Sequence, residues 1–264
     1  MSDSTGDPTA VVFGDWHGNE VYARSALAMT SRVQTEALRI HVGDFGLWPD
    51  APGHHYLASI DREARRQGIL LHVVPGNHEG WSHLSVGAAE FGLDGFDDDG
   101  FMTSRLYPAL RIAPRWAIWE RRGTTYACLS GAASIDFQQR VAGHNWWPEE
   151  MPTQRDVDDL VDAATGRRID VFVTHDAPSA AIDGLGLYSG RPSGWSAAAL
   201  AYARQSSDLI EQASARLVPT LHLCGHHHVR RTARVEGTLV QILGDDGTSL
   251  AMNRTLLSGS TMLD

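Results

Sequence analysis

The sequence predicts an α/β fold with parallel strand pairing, and three observations carry that expectation. Short β-branched and apolar runs recur along the chain. Segments with helical spacing of apolar residues fall between them, the alternation that crossover helices impose on parallel strands. Several apolar runs stop abruptly at Gly, Asp, Asn or His, and the carboxyl ends of parallel strands are where such sheets collect ligands.

The elements follow in order. "TAVVFGDWHGN" opens as a strand and breaks at Gly14, and a helix is expected from about Val21 to Val33. "LRIHVGDFG" repeats the strand and ends in Gly-Asp. His55 to Arg66 is amphipathic, with Leu57, Ile60 and Ala64 on one helical face. "ILLHVVPGNHEGW" is again a strand running into a turn. "GLDGFDDDGF" is acidic and glycine-rich and is expected to be a solvated turn. "ALRIAPRWAIWERRGTTYACLSGA" alternates and is broken at Gly123, as hairpin strands would be. "TQRDVDDLVDAATG" predicts a helix capped by Thr153 with Asp156 in its first turn. "RIDVFVTHDAP" and "TLHLCGHHH" are strands ending in potential ligands, separated by a long helix around Ser196 to Arg216. "RTARVEGTLVQILG" and the tail read as further strands. No repeat, linker or low-complexity segment divides the 264 residues, so one domain is expected.

Composition narrows the function. No run approaches the roughly 20 apolar residues that span a bilayer. The polar start "MSDSTGDPTA" lacks the features of a signal peptide, which points to the cytoplasm. Cys128 and Cys224 lie in apolar runs and read as buried thiols. A net charge of −10 argues against gripping long duplex nucleic acid, while bound metal ions would still reverse the sign locally for a nucleotide.

Five segments share one plan, an apolar strand followed by side chains able to bind metal: Asp15 and His17; Asp44; Asn77, His78 and Glu79; His175; and His226 to His228. Singly each is weak, because a strand-end Asp is usually a turn former and a His usually a satisfied polar residue. The three adjacent histidines alone admit a tag remnant, a solvated turn or a metal site. The five together, in this order, resemble the calcineurin-like metallophosphoesterase family, whose pattern runs DxH, GD, GNH[DE], H, GHxH. The resemblance spans roughly Val11 to His228.

That resemblance implies a four-layer sandwich of two mixed β-sheets flanked by helices, with residues 1–264 as a single metallophosphoesterase domain. It implies two divalent metal ions, one held by Asp15, His17, Asp44 and His228, the other by Asp44, Asn77, His175 and His226, with Asp44 bridging. Carboxylate, amide and imidazole donors suit Mn²⁺, favoured here, or Fe or Zn²⁺. His226 and His228 are expected to share a face, as residues two apart do in an extended segment, with His227 pointing away. His78 would serve the leaving group while a metal-bridging hydroxide attacks phosphorus. Glu79 reads as structural.

Departures from the family's branches narrow the substrate. Ser/Thr protein phosphatases extend the second block to GDxVDRG, whereas this chain reads "GDFGLWP", with Leu47 and Trp48 where an Asp and an Arg would stand. "THDAP" is similar to a segment of RNA lariat-debranching enzymes, which carry Cys in place of the first Asp. Trp16 reads as packing beneath the metal loops. Trp48, Trp81, Arg140 and His144 are candidate substrate contacts, Trp146 and Trp147 lie in the same insertion, and Asp136 is a candidate to orient His78. The expectation is a phosphodiesterase acting on a small phosphoester or nucleotide, such as a 2′,3′-cyclic nucleotide or short single strands. The alternatives are a phosphomonoesterase and a metal-stabilised binding module, and no membrane partner is expected.

Overall fold

The computed structural model describes residues 8–30, 36–188 and 194–263. β1 (Ala10–Phe13) is buried on both faces, which is why it reads as an unbroken apolar run. α1 (Glu20–Met29) is capped by Asn19, whose side chain accepts from the Tyr22 N–H. The far end of the helix expected to Val33 lies outside the described residues. β2 (Leu38–His41) pairs parallel with β1. α2 (Ala51–Gln67) begins four residues before the amphipathic stretch, because Asp50 caps it and a proline occupies its first turn. β3 (Leu71–Val73) extends the parallel set.

The acidic loop differs from expectation. It contains β4 (Leu93–Phe96), which pairs antiparallel with β5 (Met102–Ser104). Asp97 organises the turn between them by accepting the N–H groups of Asp99 and Phe101, and Phe101 is fully buried. The next expected hairpin divides between sheets. β6 (Leu110–Ile112) pairs with β3, whereas β7 (Trp116–Arg121) and β8 (Thr124–Leu129) form a hairpin elsewhere. Arg122 and Gly123 both have positive φ there, the geometry of a type I′ turn.

α3 (Gln154–Ala163) carries the expected capping box between Thr153 and Asp156. β9 (Val171–Thr174), α4 (Ser179–Leu185), α5 (Ala197–Leu217), β10 (Leu221–Cys224), β11 (Arg231–Val235) and β12 (Thr238–Ile242) follow. α6 (Leu250–Asn253), β13 (Arg254–Ser258) and β14 (Thr261–Met262) return the chain to β1.

Among the described residues the strands form two mixed sheets, ordered β14-β13-β1-β2-β3-β6-β5-β4 and β11-β12-β10-β9-β8-β7. Alternation of side chains along each strand builds the layers. Val12, Ile40 and Val42 face Val171, Val173, Leu221 and Leu223 between the sheets. Val11, Phe13 and Val73 face α1 and α2 through Leu27, Leu57 and Ile60. Ala127 and Phe172 meet α3 and α5 through Leu160 and Ile210. No helix among the described residues is long and apolar enough to cross a membrane.

Candidate metal centre and adjoining cleft

The parallel strands of both sheets end at one place. Asp15 follows β1, Asp44 follows β2, Asn77 and His78 follow β3, His175 follows β9 and His226 follows β10. Two groups of side chains there could each hold a cation: Asp15, His17, Asp44 and His228, and Asp44, His175 and His226. Asp44 belongs to both. Its Oδ2 lies 3.4 Å from His17 Nε2, and its Oδ1 lies 3.2 Å from His175 Nε2. Asp15 Oδ2 is 3.4 Å from His228 Nε2. Asn77 Oδ1 joins the second group, 3.0 Å from His175 Nε2.

The donor set fits divalent cations. Two buried carboxylates, four imidazoles and an amide oxygen converge with no thiolate, a combination for borderline and harder ions. His175 is oriented for the task, since its Nδ1 faces the Val42 carbonyl at 2.9 Å and leaves Nε2 toward Asp44. Burial alone would lower its pKa, yet Asp44 and Asp15 together hold it at about 9. His17 is likewise raised to about 10, its burial outweighed by Asp44 and Asp15. The carboxylates thus draw positive charge into the site.

Close approach explains the glycines. A Cβ on Gly225 would sit 2.1 Å from Asp15 Oδ1, and one on Gly43 would sit 2.3 Å from His175 Nδ1. His17, Asp44, His226 and His228 all adopt positive φ, between 45° and 65°. Non-glycine residues pay about 1–2 kcal/mol for this conformation, and such strain tends to cluster where side chains converge on a site of function. It also corrects the expected reason for the histidine pattern. The segment is not extended: two left-handed residues flank His227 and turn its side chain inward. His227 is buried, with Nε2 3.1 Å from Asp176 Oδ1.

His78 borders the centre, its Nε2 3.9 Å from Asp44 Oδ2 and its backbone N–H donating to Asp44 Oδ1 at 2.9 Å. Arg140 Nη2 donates to His78 Nε2 at 2.9 Å. Burial lowers the His78 pKa, and Arg140 adds to that against the pull of Asp44. Asp136 does not touch His78. It holds Arg140 Nε at 2.7 Å and reaches the imidazole only through that guanidinium.

A cleft of about 330 Å³ opens beside His78, lined among others by Trp48, Pro49, Arg140, His144 and Trp147. Trp48 is fixed there by donating Nε1–H to the His78 carbonyl at 2.8 Å. Trp81 does not line it. Its indole donates to the Gly76 carbonyl, and Arg115 covers its ring at 4.0 Å. Trp16 is fully buried and donates to Asn253. Glu79, also buried, accepts the N–H groups of Phe45 and Leu47 at 2.7 and 2.8 Å and of Gly46 at 3.2 Å, so it shapes the Asp44 loop. Burial and the nearby Asp44 raise its pKa.

Several supporting residues escape a sequence reading. Asp246 lies 2.8 Å from His17 Nδ1, Asp245 lies 3.4 Å from His228 Nδ1, and Asn253 donates to the Asp15 carbonyl at 3.0 Å. A signal existed for the first two: "LVQILGDDG" repeats the plan of strand, glycine and aspartate. Asn253 sits in a sequon-like "NRT" and carries no local mark of its role.

A family profile described as calcineurin-like phosphoesterase matches residues 8–230. No curated protein matches the sequence. Among solved structures, a dimetal phosphatase from Danio rerio is similar with a TM-score of 0.57 at 14% identity, covering 95% of this chain and 93% of that one. A putative 5′-nucleotidase from Staphylococcus aureus, in complex with alpha-ketoglutarate, is similar with a TM-score of 0.51 at 14% identity. That match covers 94% of this chain and 52% of the nucleotidase, so this chain spans about half of that protein's length. At such identities the likeness concerns the fold.

Proposed function

The chain belongs to the calcineurin-like phosphoesterase family, and from that premise we propose a dinuclear metal-dependent phosphodiesterase for small nucleotide-type diesters. Asp15, His17, Asp44 and His228 would hold one cation, and Asp44, Asn77, His175 and His226 the other. When bound, the two cations would lower the pKa of a water and neutralise charge on the phosphoryl group. We take Mn²⁺ as the preferred occupant, a small phosphoester as the substrate and the cytoplasm as the place of action.

The observation that supports a diester is the walled cleft beside His78. The cleft has room for the organic substituent on the departing oxygen beside His78, and a diester's second substituent would reach the same walls. Half-buried Trp48 offers these substituents an apolar wall on which a base could stack, the edge of the buried Trp147 closes the cleft, and His144 offers a polar contact. The Arg140 guanidinium would leave His78 for a phosphoryl oxygen, a geometry it suits better than an imidazole. His78 would then be free to pass a proton to the departing oxygen.

The test is hydrolysis of bis(p-nitrophenyl) phosphate against p-nitrophenyl phosphate by metal-free protein reloaded with Mn²⁺. The expected result is preference for the diester, with kcat falling about 10²–10⁴-fold in His78→Ala while two Mn²⁺ still bind. Preference for the monoester would overturn the diester reading. Two metals bound with no turnover of either ester or of a cyclic-nucleotide panel would favour a metal-stabilised binding module.

A further inference from the structure

Glu150 and Ser134 belong to no step of the proposed chemistry, yet they end in contact with a proposed metal ligand. Both are buried, at 0% and 1% exposure. Glu150 Oε1 accepts the Ser134 backbone N–H at 2.6 Å, Trp146 Nε1–H at 3.0 Å and the Tyr202 hydroxyl at 3.2 Å. Its Oε2 accepts the Ser134 hydroxyl at 2.8 Å. Asn77 Nδ2 in turn donates to Ser134 Oγ at 2.9 Å.

The chain of donors has a direction. A serine hydroxyl owns one proton, and above about pH 7, where Glu150 is ionised, that proton is committed to its carboxylate. Ser134 Oγ can then only accept from Asn77, so the amide group facing it must be the NH₂. The amide oxygen is forced to the opposite side, beside His175 Nε2. Only that edge of an amide can bind a cation, because the NH₂ has no lone pair to offer. The two edges are nearly identical in shape, so packing alone does not choose between them.

We propose that Ser134 and Glu150 are positioning residues that lock the Asn77 amide with its oxygen toward the cation shared with Asp44, His175 and His226. The proposal rests on the reading of Asn77 as a ligand. Without the hydroxyl, the outward orientation strands a buried N–H, and the flipped one places that N–H against His175 or Asp44. The stranded N–H penalises the oxygen-inward orientation, so the binding-competent form becomes a smaller population and apparent affinity falls by that fraction.

The experiment is a calorimetric titration of metal-free protein with Mn²⁺ at pH 8, above the value of about 7 to which burial pushes Glu150. Ser134→Ala is expected to weaken one binding event about tenfold, leaving the event at Asp15, His17 and His228 unchanged as a report of intact folding. Asn77→Asp supplies the discriminating background, because a carboxylate has two equivalent oxygens and needs no orientation. There Ser134→Ala should change affinity by no more than about twofold. An equal penalty in both backgrounds would reduce Ser134 to packing and overturn the proposal. If Ser134→Ala does not fold, Glu150→Gln, which releases the Ser134 proton, should show the same background-dependent loss. Asn77→Ala separates the two layers of inference. If it leaves both events intact, Asn77 is no ligand and both readings fail. If it weakens one event and Ser134→Ala does not, only the positioning role is overturned.

Discussion

Single residues at the candidate centre divide between those that could reach a cation and those that hold these groups still. Glu79 is of the second kind, a buried carboxylate whose acceptors are taken by the Phe45, Gly46 and Leu47 N–H groups. Glu79→Ala should cost about 3 kcal/mol or more, because several buried donors lose their acceptor at about 1–3 kcal/mol each. Chemical denaturation checks this, and a loss under 1 kcal/mol, roughly the worth of one ordinary hydrogen bond, would deny Glu79 that role. Asp246 acts on His17 as outer carboxylates act on metal-bound imidazoles, fixing tautomer and ring orientation. Asp246→Asn should weaken Mn²⁺ binding about 10–100-fold with little effect on the melting temperature of the metal-free protein. Unchanged Mn²⁺ affinity would show that the backbone alone orients His17.

Whole elements show where local signals suffice. α3 and α5 stand where the sequence places them, because Thr153 and Ser196 cap them through their own side chains. α2 starts ahead of its apolar stripe because Asp50 and the proline of its first turn set its beginning. β4 leaves little trace in the sequence because a short, half-exposed edge strand has little hydrophobic pattern to show. α5 also ends on Val218, a β-branched residue held at φ 47° and largely exposed. Val218→Gly should therefore raise stability by about 1 kcal/mol, relieving a left-handed strain of about 1–2 kcal/mol less the added freedom of the unfolded chain. A lower melting temperature would mean that the valine side chain contributes packing that outweighs the strain.

At the scale of the molecule, two sheets bury imidazoles that cannot readily be charged. Burial lowers the pKa of His222 from 6.5 to about 3, and that of His72 to about 4. Below pH 6.5 the unfolded chain takes up protons that the folded chain refuses, so stability is fully present above that pH and lost as pH falls toward 3. Each such histidine adds up to about 1.4 kcal/mol per pH unit to the slope. Metal-free His222→Asn should show a shallower slope between pH 6 and about pH 4 than the parent protein. Identical slopes would mean that His222 is protonated in the fold. The order and chemistry of the strand-end donors were legible in the sequence. A doubly buried strand is a continuous apolar run, and the candidate donor comes immediately after it in the chain, so element and donor are written side by side. Tertiary structure alone decided that β6 and β7 part into different sheets and that His227 turns to Asp176. It alone brought Asp246, Asn253, Ser134 and Glu150 behind the donors. Asp246 lies 229 residues from His17 and Asn253 lies 238 from Asp15. Contacts made across such separations leave no periodicity or spacing in the chain, because they exist only once the two sheets have closed on each other.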